Sequence, residues 1–586
     1  MKSKRPFAPE ELRYLRLLAK QYPTVQAAST EIINLQAILN LPKGTEHFIS
    51  DVHGEYEAFL HILNSCSGVI REKVDDLFAA SLSQADRSAL CTLIYYPEEK
   101  LEQLHRRTED GDMEEWYRIT LNRLIELCRW VTSKYTRSKV RKALPRDYAY
   151  IIDELLHTHY EEADKRGYYE NIIRTIIDLG QADRFIEAMA AVIKRMAVDH
   201  MHLVGDIFDR GPRADIILDS LMQCHSVDIQ WGNHDILWMG AASGSRTLVA
   251  TVLANSIHYN NLEVIETGYG ISLRPLSIFA NEVYKDCDTH RFAVKLTGAD
   301  ADQYTEKDKL LSARMHKAIT VILFKLEGQK LMRCPEFGMS DRLLLDKIDY
   351  AGKTVTIGDK TYPLEDCDFP TVDPTDPYAL TAEESQVIDQ LTASFQRSEK
   401  LQKHIRFLYS KGGLYKVFNG NLLFHGCIPM TAEGELMSFT IGGKKRAGRE
   451  FLDYAQTTAR RAYYDKPGSA ERQFGMDFLW WLWAGRNSPI FGRDRMTTFE
   501  RRLIADESAW TEPKNSYYTL YNDPAVCEAI LKEFGLEGPH CHIINGHIPV
   551  KTKKGESPIK GGGKLLVIDG GFCKAYQPTS GIAGYT

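Results

Sequence analysis

The segment Met201–Gly211, MHLVGDIFDRG, joins an apolar strand pattern to a polar loop. Residues 201–204 have the composition of a buried strand, and the glycine that follows permits a sharp turn directly before Asp206. Asp209 and Arg210 follow in the same loop. The segment therefore predicts a strand that delivers two carboxylates and a guanidinium at its carboxyl end.

The same arrangement recurs along the chain. Strand patterns at 46–50, 227–231, 421–424, 542–544 and 564–568 each run into a loop that contains glycine. The polar residues after the first four of these strands are Asp51 and His53, Asn233 and His234, His425, and His547. In open α/β sheets, ligands bind beyond the carboxyl ends of strands. We therefore predict an α/β fold with one site assembled from these loops.

The predicted site has the composition of a metal centre. Oxygen and imidazole ligands without thiolate suit manganese, iron, zinc or magnesium. We expect Asp206 to bridge two divalent ions, since a shared carboxylate permits ions about 3.5–4 Å apart that acidify bound water. The remaining predicted ligands are Asp51 and His53 for one ion, and Asn233, His425 and His547 for the other.

Three further residues of these loops suit phosphate ester cleavage. His234 is the predicted general acid for the leaving group, and Asp209 is expected to orient its imidazole and favour the protonated form. Arg210 is expected to bind phosphoryl oxygens through its planar fork. The alternative is that Asp209 and Arg210 simply pair with each other on the surface.

Composition excludes several classes of protein. A chain of 586 residues predicts about four units or one heavily inserted fold. Its 73 basic residues nearly balance 79 acidic ones, which argues against nucleic acid or an anionic membrane as partner. The eleven cysteines include no Cys-x-x-Cys pair, and neither a signal segment nor a membrane span is evident. We expect a cytoplasmic protein.

The motifs, in chain order, carry a resemblance. DVH, GDIFDRG, GNHD, HG and GH match the signature of the calcineurin-like metallophosphoesterases, and the GDxxDRG form resembles their phosphoprotein-phosphatase branch. This resemblance implies an αββα sandwich of two mixed sheets, with a dinuclear metal site where the loops meet. It also implies the ligand roles given above.

The spacing of the motifs narrows the resemblance. From Asp51 to Asp206 there are 155 positions, but from Asp206 to Asn233 only 27. The enlarged layout resembles the class III fructose-1,6-bisphosphatases, as do FISDVHGEYEAF, LWAGRNSPIFG, GHIPVKTKKGESPIKGGGK and VIDGGFCKAYQPTSGIAGYT. Members of that family continue beyond the last string, whereas this sequence stops at Thr586. The expected organisation is an N-terminal helical segment (1–44), a catalytic core (45–69, 199–249 and 413–586), a helical insertion (70–198) and a second mixed insertion (250–412).

The resemblance implies a function. The implied reaction is hydrolysis of fructose 1,6-bisphosphate to fructose 6-phosphate in gluconeogenesis, with two metal ions, preferably manganese. The partner would be a small sugar bisphosphate, and a homo-oligomer is left open. One alternative is a phosphoprotein or dinucleotide-polyphosphate phosphatase. Another is a catalytically inactive scaffold, although a scaffold has no chemical reason to retain the full set of ligands.

A second phosphate requires a cationic group some ångströms from the metals. Lys551, Lys553 and Lys554 follow His547 in a glycine-containing loop and are candidates for this role. The alternative is a solvated basic loop. Arg486 is the candidate for a second arginine on the transferred phosphate; the alternative is that it stacks on a neighbouring tryptophan.

Overall fold

The computed structural model describes residues 8–107, 110–157, 165–296, 304–573 and 577–580. Parts of the two predicted insertions (108–109, 158–164 and 297–303) and of the C-terminal string (574–576 and 581–586) lie outside these residues. The chain divides into two compact units. One comprises Met1–His47 and His61–His200, and the other comprises Phe48–Leu60 and Met201–Thr586.

The first unit is helical. Its helices are Pro9–Gln21, Val25–Leu39, Val69–Phe78, Gln84–Tyr95, Pro97–His105, Asp110–Thr132, Arg137–Ala143, Ala149–His157, Arg166–Asp178 and Ala182–Ala197. The last of these buries Phe185, Met189, Val192 and Met196, which recur at the spacing of one helix face. The helical pattern predicted from about 70 to 198 is confirmed for the described residues.

The strands of the described residues lie in four sheets. In chain order they are β1 (Glu46–Ile49), β2 (His200–Leu203), β3 (Val227–Gln230), β4 (Ile348–Asp349), β5 (Thr354–Ile357), β6 (Lys360–Pro363), β7 (Gly412–Gly413), β8 (Tyr415–Phe418), β9 (Asn421–Phe424), β10 (Ser438–Ile441), β11 (Lys444–Ala447), β12 (His542–Asn545), β13 (Ile559–Lys560) and β14 (Leu565–Val567). One sheet has the order β1-β2-β3-β7 and another the order β13-β14-β12-β9-β8. Smaller sheets are β4-β5-β6 and β10-β11.

The register brings strand ends together. β2 is parallel to β3, with Met201 opposite Val227, and β3 is parallel to β7. In the five-stranded sheet β12 is parallel to both β9 and β14, whereas β8 and β13 run antiparallel to their neighbours. All six strands predicted before polar loops are present, and the mixed α/β class is confirmed.

An apolar cluster joins the two larger sheets directly below the loops. It consists of Val204, Leu423, Ile544 and Ile568, all buried. These residues lie in or next to β2, β9, β12 and β14 respectively. Because each of these residues lies within three residues of a polar loop, burial of the cluster holds the carboxyl ends of these four strands close together.

The remaining helices surround these sheets or lie in the second half of the chain. They are Tyr56–Ser65, Ala214–Gln223, Asn233–Ser243, Arg246–His258, Arg274–Val283, Glu306–Arg333, Ala382–Arg397, Glu399–Lys411, Gly448–Tyr464, Ala470–Ala484, Thr498–Leu503, Tyr517–Leu520, Pro524–Glu533 and Gln577–Ser580. Among the described residues, no helix combines the length and the apolar composition needed to cross a bilayer.

Candidate metal centre

The loops after β1, β2, β9 and β12, with the start of helix Asn233–Ser243, bring the predicted ligands together. Asp206 lies at the middle. Its Oδ2 is 3.7 Å from His53 Nε2 and 3.4 Å from His425 Nε2. We call Asp51, His53, Asp209, Arg210 and His234 the His53 side, and Asn233, His425 and His547 the His425 side.

On the His425 side, three ligand atoms face one another. Asn233 Oδ1 is 3.2 Å from His425 Nε2 and 3.1 Å from His547 Nδ1, and the two imidazole nitrogens are 3.2 Å apart. The opposite nitrogens meet backbone carbonyls: His425 Nδ1 lies 2.9 Å from the oxygen of Val204, and His547 Nε2 lies 3.1 Å from that of Phe491. Donation to a carbonyl leaves the other nitrogen with a lone pair directed into the site.

His53 is held in the same way on the other side of Asp206. Its Nδ1 lies 3.0 Å from the carbonyl oxygen of Phe208. Its Nε2 therefore faces Asp206 and is 4.0 Å from Asp51 Oδ1. Each of the three imidazoles thus turns toward the cluster the nitrogen that no carbonyl holds, which is the arrangement expected of metal-binding histidines.

His234 is held differently. Its Nδ1 lies 2.7 Å from Asp209 Oδ2, and the other carboxylate oxygen accepts a hydrogen bond of 2.7 Å from Trp238 Nε1. Its Nε2 lies 3.4 Å from Arg210 Nη2, and Trp483 packs edge-on against the ring. Asp209 is 4% exposed, so its carboxylate faces the interior and orients His234.

The backbone of the site is strained. Positive φ angles occur at Asp51 (54°), His53 (45°), Asp206 (57°), Asp209 (64°), Arg210 (76°) and His547 (73°). Each such residue costs on the order of 1–3 kcal/mol, and such residues concentrate at functional sites. Space is equally tight, because a Cβ at Gly232 would lie 2.1 Å from Asp206 Oδ1.

The buried carboxylates favour bound positive charge. Burial alone would lower the pKa of His425, but the negative charges of Asp206 and Asp51 outweigh it and raise this pKa to about 10. Burial, opposed by His425, raises the pKa of Asp51 to about 6. The pKa of Asp569 is raised well above its ordinary value by burial and by Asp51. Several carboxylates in a dry site stabilise a cation.

The donor set fits divalent metal ions. Two groups, His53 with Asp206 and His234, and Asp206 with His425 and His547, each bring their ligand atoms within 4.8 Å of one another. Asp206 belongs to both. Nitrogen and oxygen donors without thiolate match the predicted ligand chemistry. His234 lies within the first group by distance, although it is the predicted general acid and not a predicted metal ligand.

Several site residues escaped the sequence prediction. Asp235 Oδ2 accepts hydrogen bonds from the backbone N–H groups of Asp206 and Gly232, each 2.9 Å, and its Oδ1 accepts one from Ile207. It ties two ligand loops together. Asp235 is the last residue of the GNHD motif, but the motif by itself predicted no role for it. Trp238 lies one helical turn after His234, a spacing that predicts a shared face.

The candidates for substrate binding lie apart from the ligand cluster or on its margin. Lys551, Lys553 and Lys554 are exposed in the loop after His547. The guanidinium of Arg486 bonds to Asp341 Oδ2 at 2.8 Å, and its Nε is 3.2 Å from Asp494 Oδ1. Two carboxylates therefore already neutralise Arg486. These roles stay predictions.

Comparison with known proteins gives one consistent match. A family model described as Firmicute fructose-1,6-bisphosphatase matches residues 13–586. The class 3 fructose-1,6-bisphosphatase of Clostridium botulinum (strain Alaska E43 / Type E3) is 55% identical over 98% of this chain and 87% of the relative. A class 3 enzyme of Clostridium beijerinckii is 55% identical, and that of Clostridium tetani 54%, over 98% of this chain and 86% of each relative. No solved structure matches.

Proposed function

The chain belongs to the Firmicute fructose-1,6-bisphosphatase family and is a fructose-bisphosphatase, and we propose that the cluster around Asp206 is where it hydrolyses fructose 1,6-bisphosphate. The single observation that carries this assignment is the position of Asp206 between two groups of ligand atoms. The products are fructose 6-phosphate and phosphate, a step of gluconeogenesis.

Two divalent ions, preferably manganese, complete this site. Asp51, His53 and Asp206 would hold one ion, and Asp206, Asn233, His425 and His547 the other. Such ions lower the pKa of water toward neutrality and neutralise the negative charge of a phosphoryl group. The three backbone carbonyls that bond to His53, His425 and His547 support this assignment, because each accepts from the outer nitrogen and turns the other nitrogen of the ring toward the site.

Arg210 binds the phosphoryl group that is transferred. Its Nη1 and Nη2 lie 3.3 Å and 3.4 Å from the Nε2 atoms of His53 and His234. Both donor nitrogens thus point to the space between the two imidazoles. A planar fork in this position offers two parallel donors to two phosphoryl oxygens.

His234 donates the proton that the leaving sugar alkoxide needs. The carboxylate of Asp209 accepts from Nδ1 and orients the ring, so Nε2 is the nitrogen from which the proton would be transferred. Nε2 lies beside the Arg210 fork. The proton donor and the phosphoryl-binding group therefore act on the same phosphate ester.

The architecture around the site is proposed to be the αββα sandwich. The two larger sheets and the apolar cluster that joins them support two packed layers. We keep the predicted catalytic core, the helical insertion and the second mixed insertion as the division of the chain. A cytoplasmic location suits an enzyme of sugar phosphate metabolism.

Phosphate release with manganese tests the proposal. We expect kcat/KM for fructose 1,6-bisphosphate to exceed that for a phosphoserine peptide and for a dinucleotide polyphosphate at equal enzyme concentration. The reverse order would keep the chemistry of the site but transfer the function to another branch of the superfamily. No release from any of the three would favour an inactive scaffold.

A further inference from the structure

Two positively charged residues lie opposite each other beside the candidate metal centre. Arg493 and Lys514 lie directly opposite each other in an isolated antiparallel bridge. Hydrogen bonds on either side of it, Asp494 N–H to the oxygen of Pro513 and Asn515 N–H to that of Gly492, fix this register. Opposite residues of an antiparallel pair point to the same face about 5 Å apart, and like charges there are destabilising.

Carboxylates balance this pair only in part. Arg493 Nη1 is 3.4 Å from Glu512 Oε2, but the same carboxylate is also 3.9 Å from Arg501. Lys514 makes no ion pair in the described part of the chain. Burial lowers its pKa, as do the positive charges of Arg493 and Lys551, while the negative charge of Glu556 opposes them. Glu556 also forms an ion pair of 2.9 Å with Lys560. Three cations thus gather near two carboxylates, each of which is shared with a further cation.

The pair borders His547. The carbonyl of Phe491, two residues before Arg493, holds His547 Nε2. Tyr518 stacks on the His547 ring with 6.4 Å between centres, and Lys514 Nζ lies 5.8 Å from the centre of the Tyr518 ring. The ammonium is therefore separated from a metal-ligand candidate by one aromatic ring.

We propose that Arg493 and Lys514, joined by Lys551, form the subsite that binds the phosphate of the substrate that is not hydrolysed. The inference rests on the proposed function. It explains why the chain places like charges opposite each other, since a phosphate dianion converts their repulsion into attraction. It also separates the roles of the two ends of the substrate, with Arg210 at the reacting phosphate and Lys514 at the distant one.

The test compares a substrate with two phosphates and a substrate with one. For Lys514→Gln and Arg493→Gln we expect KM for fructose 1,6-bisphosphate to rise about 10- to 100-fold, the loss of one charge-assisted contact. The ratio of kcat/KM for fructose 1,6-bisphosphate to that for p-nitrophenyl phosphate should fall by a similar factor. Lys514→Arg, which keeps the positive charge, should retain most of the wild-type ratio. Lys416→Gln, which removes an exposed lysine on β8, is the matched control.

The outcomes separate the two proposals. If the wild-type enzyme hydrolyses fructose 1,6-bisphosphate and neither variant changes this ratio, the subsite is wrong and the proposed function stands. If kcat/KM falls by the same factor for both substrates, the two residues support the fold and the subsite is wrong. If the variants alter only inhibition by inorganic phosphate, the cations bind free phosphate. A wild-type enzyme without activity on fructose 1,6-bisphosphate would overturn both proposals.

Discussion

The two sides of the centre use the same residue types but hold them in different ways. On the His425 side, backbone carbonyls hold both imidazoles. On the His53 side, a carbonyl holds His53, but the carboxylate of Asp209 holds His234. Either partner can accept the N–H of the outer nitrogen and so orient the ring. The predicted metal ligands and the predicted proton donor therefore differ in the group that holds the outer nitrogen.

The largest expected effect comes from removing the residue that the two sides share. Asp206→Ala should release both ions and lower kcat by at least about 10⁴-fold, since metal ions supply several kcal/mol of charge stabilisation. Metal analysis after reconstitution with manganese checks this. The control is Asp219→Asn, in helix Ala214–Gln223, whose carboxylate pairs with Lys400 and His404 and not with the predicted ligands. Two ions retained per chain would show that Asp206 does not bridge.

A comparison of two histidine variants tests whether His234 is a proton donor and His425 a metal ligand. His234→Ala should lower kcat by about 10²- to 10⁴-fold with the metal content unchanged, because it removes a general acid. His425→Ala should lose metal. We would measure both quantities in both variants. Loss of metal from His234→Ala would show that His234 is a metal ligand like His425.

A smaller effect is expected from the orienting carboxylate. Asp209→Asn keeps the shape but removes the charge of the carboxylate that accepts from His234 Nδ1. We expect kcat to fall about 10- to 100-fold, the usual effect of removing a group that orients a site residue. Steady-state kinetics would show it, and an unchanged kcat would mean that His234 needs no carboxylate.

The smallest effect concerns Glu327, a carboxylate outside the centre. Burial raises its pKa from 4.5 to about 7, although a hydrogen bond from Trp480 and the positive charges of Arg342 and Lys330 lower it. The folded state therefore favours the neutral form, and its stabilisation is lost as the pH rises from 4.5 through 7.

Glu327→Gln, which stays neutral, should be relatively more stable at pH 8 than at pH 5. The difference should not exceed about 3 kcal/mol. Thermal melting of both proteins at the two pH values measures it, and activity with manganese should not change. A constant difference between the two proteins would show that Glu327 is charged in the fold at both pH values.

Much of the site could be predicted because its signals are local. Asp51, Asp206, His425 and His547 each follow an apolar strand within a few residues, and the structure brings them together. Arg486 shows what such reasoning could not see. Asp341, 145 positions away, accepts its hydrogen bond, and its role as a phosphate ligand stays a prediction.

The sequence by itself determined the strands, the polar residues at their ends and the family, because hydrophobic periodicity and short motifs are properties of adjacent residues. The tertiary structure alone decided which nitrogen of each imidazole faces the centre, that Asp235 ties two loops together, and that Lys514 lies opposite Arg493. These contacts join distant segments through backbone carbonyls, N–H groups and strand register. Such groups are present at nearly every position, so the order of residues carries no signal for them.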